Sequence, residues 1–226
     1  MPRPRRERRR LAAQALKHGA DVVVAAVALL VVSPVMIGCA VTIRIIDGGP
    51  VLFLQDRAGR GGRTFKLVKF RSMRPVAQGE DQWTSDATRL TAVGGVMRRY
   101  SLDELPQLFN VLAGDMSLVG PRPLLPEYLP LYPERYRVRH NVRPGVTGLA
   151  QVSGRRRLAF SARLELDREY VENWSLALDT RILIETLAEV FRDGPDATQS
   201  LADIDDLGFM ARIAGLEGDM TCSQGS

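Results

Sequence analysis

An aspartate and a glutamate stand side by side at Asp103 and Glu104, and cations gather around them along the chain: Lys69, Arg71, Arg98 and Arg99 before the pair, Arg122 and Arg155 after it. A carboxylate can attack phosphorus or bind a divalent cation, while ammonium and guanidinium groups hold phosphate oxygens. On a helix, side chains at adjacent positions diverge by about 100°, so this pair cannot share a proton as a facing dyad does. Two separate roles are implied. One carboxylate could attack while the other binds a metal ion or tunes its partner. Acidic residues at a helix start are also ordinary structural features, favoured by the helix dipole and free amides, and the same physics favours a bound phosphate.

Several elements must place these groups. Ser101 followed by Glu104 reads as a capping box, and Leu102, Leu105, Leu108, Phe109 and Leu112 form one apolar helical face behind it. Pro106 is tolerated only near a helix start, so Asp103 and Glu104 fall in or just before the first turn. Upstream, residues 50–73 read as a β-hairpin around a Gly/Arg-rich link, whose alternation puts Lys69, Arg71 and Met73 on one face and Phe70 on the other. Two cations on one face suit a phosphate-rich ligand. Residues 75–91 are polar and turn-rich, a mobile loop beside a site. Residues 114–123 and 143–155 are Gly/Pro-rich turns, each ending in an arginine, Arg122 or Arg155, held against an oxyanion. Residues 175–191 carry Leu178, Ile182, Leu183, Thr186, Leu187, Val190 and Phe191 at helical spacing, which suits a core or a membrane surface.

The charge is unevenly spread. Of the formal +5, the stretch before Asp21 holds seven basic residues against one acid, which leaves the remaining chain at −1. A terminal cluster ahead of an apolar segment speaks for a membrane surface and against nucleic acid as partner. Cys39 and Cys222 do not suggest a disulfide, and His18 and His140 lack neighbours at zinc-ligand spacing. Residues 22–43 carry no charge; as a straight helix they reach about 33 Å, against roughly 30 Å of bilayer hydrocarbon. Three paths are open: a spanning helix, a signal or lipoprotein leader processed at Cys39, and a re-entrant helix broken at Ser33-Pro34. The first two would export the domain downstream of residue 43. A membrane-tethered scaffold or anionic-lipid binder using the basic front is the non-enzymatic alternative.

The chain resembles the bacterial sugar transferase family, the monotopic polyprenyl-phosphate phosphoglycosyl transferases, in a compact form. The resemblance rests on Lys69-Phe70-Arg71-Ser72-Met73, residues 101–108, Asn110-Val111-Leu112, residues 114–123, and residues 143–148 through Gln151 to Gly154-Arg155. It implies an α+β fold, mainly helical with a short β-hairpin, an N-terminal re-entrant membrane helix and amphipathic interfacial helices. The implied layout is a basic segment at 1–20, a re-entrant helix at 21–46, a catalytic domain at 47–192 and an acidic tail at 193–226 that carries no evident chemistry. It further implies that Asp103 attacks the sugar-bearing phosphate of a UDP-sugar, releasing UMP, and that undecaprenyl phosphate then takes the phosphosugar to begin a lipid-linked glycan. Glu104 would assist, Mg²⁺ bound at Asp103 would offset diphosphate charge, and Lys69, Arg71, Arg98, Arg122 and Arg155 would contact substrate. The site would lie on the cytoplasmic face of the bacterial inner membrane, among phospholipids, with homo-oligomerisation left open. Leu149, where many relatives carry an aromatic residue, and the basic Arg156 and Arg157 leave the sugar undefined. The reading requires Asp103 to stay open to an electrophile and within a side chain's reach of Lys69, Arg122 and Arg155.

Overall fold

A computed structural model of the chain describes residues 5–75, 89–154, 158–190, 206–209 and 212, with side chains from residue 13 onward. Arg155, Arg156, Arg157, Phe191, Cys222, most of the expected loop at 75–91 and most of the tail lie outside the described residues. The chain is mostly helical with a small β-hairpin. It sorts into two compact units, Met1–Gln55 with Lys66–Leu118, and Asp56–Phe65 with Val119–Ser226. The sequence reading treats 47–192 as one domain; in the structure the chain changes unit within the hairpin.

In the first unit, helix α1 runs over Arg5–Thr42. Among the described residues it is the helix long and apolar enough to cross a membrane. Much of its apolar surface has no protein against it: Val23, Val27, Val31, Ile37 and Val41 are exposed, and Leu30 is 77% exposed. The expected break at Ser33-Pro34 is not an interruption, since the helix continues through Pro34. Proline at 34 removes the N–H that would bond the Leu30 carbonyl four residues back. The Ser33 hydroxyl donates to that same carbonyl at 2.9 Å, so the orphaned acceptor is met from within the pair. Further along, Met36, Cys39, Ala40 and Ile43 pack on Phe70, Met97 and Leu102. Cys39 therefore sits against the core of this unit.

After α1 a wide turn, Ile43–Asp47, ends at Gly48, whose φ of 69° lies in the left-handed region that glycine adopts without strain. Strands β1 (Leu52–Ala58) and β2 (Thr64–Phe70) form the expected hairpin. Helix α2 (Ala92–Arg99) is capped by Thr91, whose hydroxyl accepts from the Gly94 amide at 2.9 Å and donates to the Asp47 carboxylate at 2.9 Å. Helix α3 (Gln107–Ala113) packs along α1 and ends at Gly114. At the other end of that contact, the buried Asp21 of α1 accepts from the Ser117 hydroxyl and pairs with Lys17 at 3.8 Å.

The second unit holds the hairpin tip, two 3₁₀ runs at Pro126–Leu131 and Glu134–Asn141, and helices α4 (Leu149–Ser153), α5 (Phe160–Glu172) and α6 (Leu176–Val190). Short strands β3 (Ser117–Val119) and β4 (Gly145–Thr147) pair. The predicted helix at 175–191 is α6, anchored by buried Ile182, while Ile184 and Leu187 are exposed. Tyr170 donates to Asp179 at 2.7 Å and Trp174 to the other oxygen of the same carboxylate at 3.0 Å, which fastens α5 to α6. The sequence reading did not foresee α5 or the 3₁₀ runs. It also missed that Phe209 returns from the tail to an aromatic cluster with Tyr128, Tyr132 and Phe160.

Candidate active site

Asp103 and Glu104 lie in a 3₁₀ turn, Leu102–Glu104, just before α3, one of the two placements that Pro106 allows. The expected capping box does not form. Ser101 adopts a left-handed backbone, φ 55°, with no side-chain cap bond, and α3 starts after Pro106. The Glu104 carboxylate is engaged elsewhere: Lys69 Nζ lies 2.9 Å from its Oε1, both side chains less than one-fifth exposed. A charge-assisted bond to a distant cation outcompetes a local amide. The apolar face is also rotated from the reading, with Leu108 and Val111 buried and Phe109 and Leu112 exposed.

Asp103 is buried, 7% exposed, against the expectation of an open carboxylate. The tight turn brings Glu104 against Lys69 of β2, and the neighbouring Asp103 is buried instead of projecting from a helix end. What remains is a nearly dehydrated carboxylate next in sequence to a Glu–Lys ion pair.

Asn110 of α3 sets the place of Lys69. Its side-chain oxygen accepts from the Val68 amide at 3.0 Å and its nitrogen donates to the Lys66 carbonyl at 2.7 Å. One amide thus pairs with the edge of β2 as a neighbouring strand would. Lys69 comes immediately after, aimed at Glu104. Asn110 lies in a stretch quoted for the family resemblance, but no spacing rule marks it for this role.

Arg71 does not join Lys69. Strand β2 ends at Phe70, although the Arg71 amide still donates to the Val51 carbonyl at 2.9 Å, and the Arg71 guanidinium turns to donate to the Asp47 carbonyl at 2.8 Å, lying against Gly49. It ties down the exit of α1. Arg98 donates from Nε to the Ser72 hydroxyl at 3.0 Å, and Gly94 presses on the Ser72 carbonyl, so α2 and the end of the hairpin hold Arg98 together. Lys69, Arg98, Asp103 and Glu104 all belong to the first unit.

Arg122 belongs to the second unit, with an exposed side chain between buried Pro121 and Pro123. Below it lies a buried ion pair the sequence reading missed: Arg139 donates from Nη2 and Nε to Asp167 at 2.7 and 3.1 Å. Burial pushes the Asp167 carboxyl up from its ordinary range, and the charge of Arg139 pulls it partly back. In the sequence Arg139 looks like one more solvated cation in a basic run. Only the distant Asp167 distinguishes it.

Among the described residues no cluster of three or more His, Cys, Asp or Glu is placed to hold a metal ion. Mg²⁺ commonly takes one or two protein carboxylates and completes its shell with water and substrate phosphate oxygens, a donor set that Asp103 and Glu104 could begin.

Comparison with known proteins bears on these groups. A model of the family described as bacterial sugar transferase matches residues 12–193. An uncharacterized sugar transferase, EpsL of Bacillus subtilis, is 45% identical over 77% of this chain and 87% of its own length. The UDP-glucose:undecaprenyl-phosphate glucose-1-phosphate transferase of Xanthomonas campestris is 43% identical over 75% of this chain but 37% of its own length. The undecaprenyl-phosphate galactose phosphotransferase of Salmonella typhimurium is 41% identical over 78% of this chain and 40% of its own length. The chain thus spans less than half of these longer relatives and most of EpsL. Match and motifs agree, and the chain belongs to the bacterial sugar transferase family.

Proposed function

We propose that this enzyme transfers a sugar phosphate from a UDP-sugar to undecaprenyl phosphate and releases UMP. An Asp103 carboxylate oxygen attacks the sugar-bearing phosphorus; the bond from that phosphorus to the bridging oxygen breaks, and UMP leaves with the electron pair. An oxygen of undecaprenyl phosphate then attacks the same phosphorus and expels Asp103 as carboxylate. Relatives named for transfer of a sugar phosphate to undecaprenyl phosphate support the substrates. The observation that carries the residue assignment is the Lys69–Glu104 ion pair at the position next in sequence to Asp103. The pair brings a cation to the acidic turn, where diphosphate charge must be met, and the buried Asp103 has to become open to the substrate for the attack to occur. Positioning and charge neutralisation supply most of the catalysis in phosphoryl transfer.

Mg²⁺, bound through Asp103 or Glu104, would offset the diphosphate charge. Arg98 and Arg122 would hold phosphate oxygens. The apolar part of α1 would enter and leave the bilayer on the cytoplasmic side, bending about Ser33-Pro34 while staying helical, because nucleotide sugars are cytosolic and the domain must meet them there. Exposed Ile184 and Leu187 of α6 suit the interfacial plane. The packing of Cys39 against the cluster of Ile43, Phe70 and Met97 speaks against processing at that cysteine.

The test uses full-length protein in lipid nanodiscs with undecaprenyl phosphate, Mg²⁺ and, in turn, UDP-glucose, UDP-galactose and UDP-N-acetylgalactosamine. At least one should yield UMP, and Asp103→Asn should reduce the yield to background while melting near the wild type. Undiminished UMP release from folded Asp103→Asn would remove Asp103 from the chemistry.

A further inference from the structure

The loop Gly120-Pro121-Arg122-Pro123-Leu124 has an unusual way of being held. Prolines at 121 and 123 fix φ on either side of Arg122, confine the residues before them to extended backbone, and have no N–H to donate. Such a loop can be fastened mainly through its carbonyls, so donors must come from elsewhere. They do. Gly145 N donates to the Pro121 carbonyl at 3.0 Å, Arg57 to Pro123 at 3.4 Å and Ala58 N to Leu124 at 2.9 Å. Gly120 donates to Thr147 at 2.9 Å, and its approach to Arg143 and Pro144 is too close for a side chain.

The carbonyl of Arg122 itself is held by a side chain. Arg139 Nη2 donates to it at 2.7 Å. The rest of that guanidinium is committed to Asp167 and to the Tyr132 hydroxyl oxygen, 3.1 Å from Nη1. Arg139 and Asp167 are each about 4% exposed. Two charges withdrawn from water at this depth make a poor stabilising device, since an apolar pair of similar volume usually serves as well or better. What the ion pair offers that an apolar pair cannot is a rigid, oriented N–H fork. One prong meets Asp167 and another sets the peptide plane from which the exposed Arg122 side chain projects.

We propose that Arg139, oriented by Asp167 and Tyr132, is a positioning residue for Arg122 and through it for the phosphate of the nucleotide sugar. This rests on the reading of Arg122 as a phosphate contact. Arg139 touches no substrate; it fixes the base of the side chain that does. A displacement of about 1 Å in such a group can cost on the order of a hundredfold in rate.

Two variants separate positioning from folding. The double variant Arg139→Met/Asp167→Leu removes both charges together and leaves neither buried alone. Arg139→Lys keeps a cation facing Asp167 but loses the fork. Each is compared with Arg122→Ala, and the double variant is also combined with it. UMP release is followed with whichever of UDP-glucose, UDP-galactose and UDP-N-acetylgalactosamine gives the highest wild-type rate, alongside thermal melting. At least one of the two variants should melt within a few degrees of wild type, and that one should lose about tenfold to a hundredfold in kcat/KM, mainly through KM. The loss should not multiply when Arg122→Ala is added. Wild-type kcat/KM in a folded variant, multiplicative losses, or failure of both variants to fold would each overturn the positioning role. Wild-type kcat/KM in Arg122→Ala would instead refute the phosphate role of Arg122, and the proposal with it.

Discussion

At the scale of single residues, what decides a role is the partner a side chain finds. Glu104 was legible as half of an acidic pair, but its link to Lys69 crosses 35 positions and no local rule gives it. Arg71 looked equivalent to Lys69 on strand alternation, yet the strand ends before it and its guanidinium closes the turn at Asp47. His140 makes the same point through protonation. Its Nδ1 lies 3.2 Å from the Gly59 carbonyl at the hairpin tip, while burial first, and the nearby Arg139 charge second, lower its pKa from 6.5 to about 4. The folded chain therefore keeps this imidazole neutral where the unfolded chain protonates it. With fewer protons bound by the folded state in that window, stability is full above about pH 6.5 and falls as pH drops toward 4. His140→Asn, which retains a donor for Gly59, should flatten that part of the curve. Thermal melts at intervals from pH 7 to pH 4 check this; equal slopes in variant and wild type would mean that His140 titrates normally.

At the scale of elements, the hairpin and α6 were readable because each carries its periodicity within itself: alternation in residues 64–70, helical spacing in residues 176–190. The start of α3 was misread for the opposite reason. The signature at Ser101 and Glu104 is local, and a tertiary ion pair overrides it. Ser33-Pro34 leaves the helix unbroken, because the serine hydroxyl meets the carbonyl that the proline orphans. The link between α3 and β2 depends on Asn110 in a way that can be measured. Asn110→Leu is close in volume but leaves the Val68 amide and the Lys66 carbonyl without their side-chain partner. It should cost about 1–3 kcal/mol, the usual penalty for a buried group left unsatisfied. Asn110→Asp keeps the acceptor for Val68 but sets a buried carboxylate against the Lys66 carbonyl, so at neutral pH it should be destabilised at least as much as the leucine variant. Chemical denaturation of the three proteins gives the order, and a leucine variant as stable as wild type would show that the amide is dispensable to the strand edge.

At the scale of the whole chain, the sequence separates basic front, apolar segment and acidic tail, and the tail reads as inert because Phe209 is its lone aromatic and its apolar residues are scattered among acids and glycines. The structure gives it a partner set instead. Its ring lies 5.3 Å from Phe160 and 5.9 Å from both Tyr128 and Tyr132, and it is 2% exposed. Nearby, the Asp206 carboxylate accepts from the Ser161 amide at 3.0 Å and from its hydroxyl, so the tail supplies the N-terminal cap that α5 lacks from its own Ala159. These two contacts act on one element from a distance of more than forty residues, and together they make the tail part of the second unit's core. Phe209→Ala should then destabilise by about 3–5 kcal/mol, the range for deleting a buried aromatic ring, and Phe209→Leu by less because much of the volume is kept. Tyr132 also accepts from Arg139, so loosening of this cluster should reach the support under Arg122 and lower UMP release before the unit melts. Melting and turnover measured side by side decide the matter. If Phe209→Ala melts with the wild type, the tail is a passenger; if it melts early but keeps full kcat/KM at low temperature, the cluster stabilises the unit without tuning the arginine.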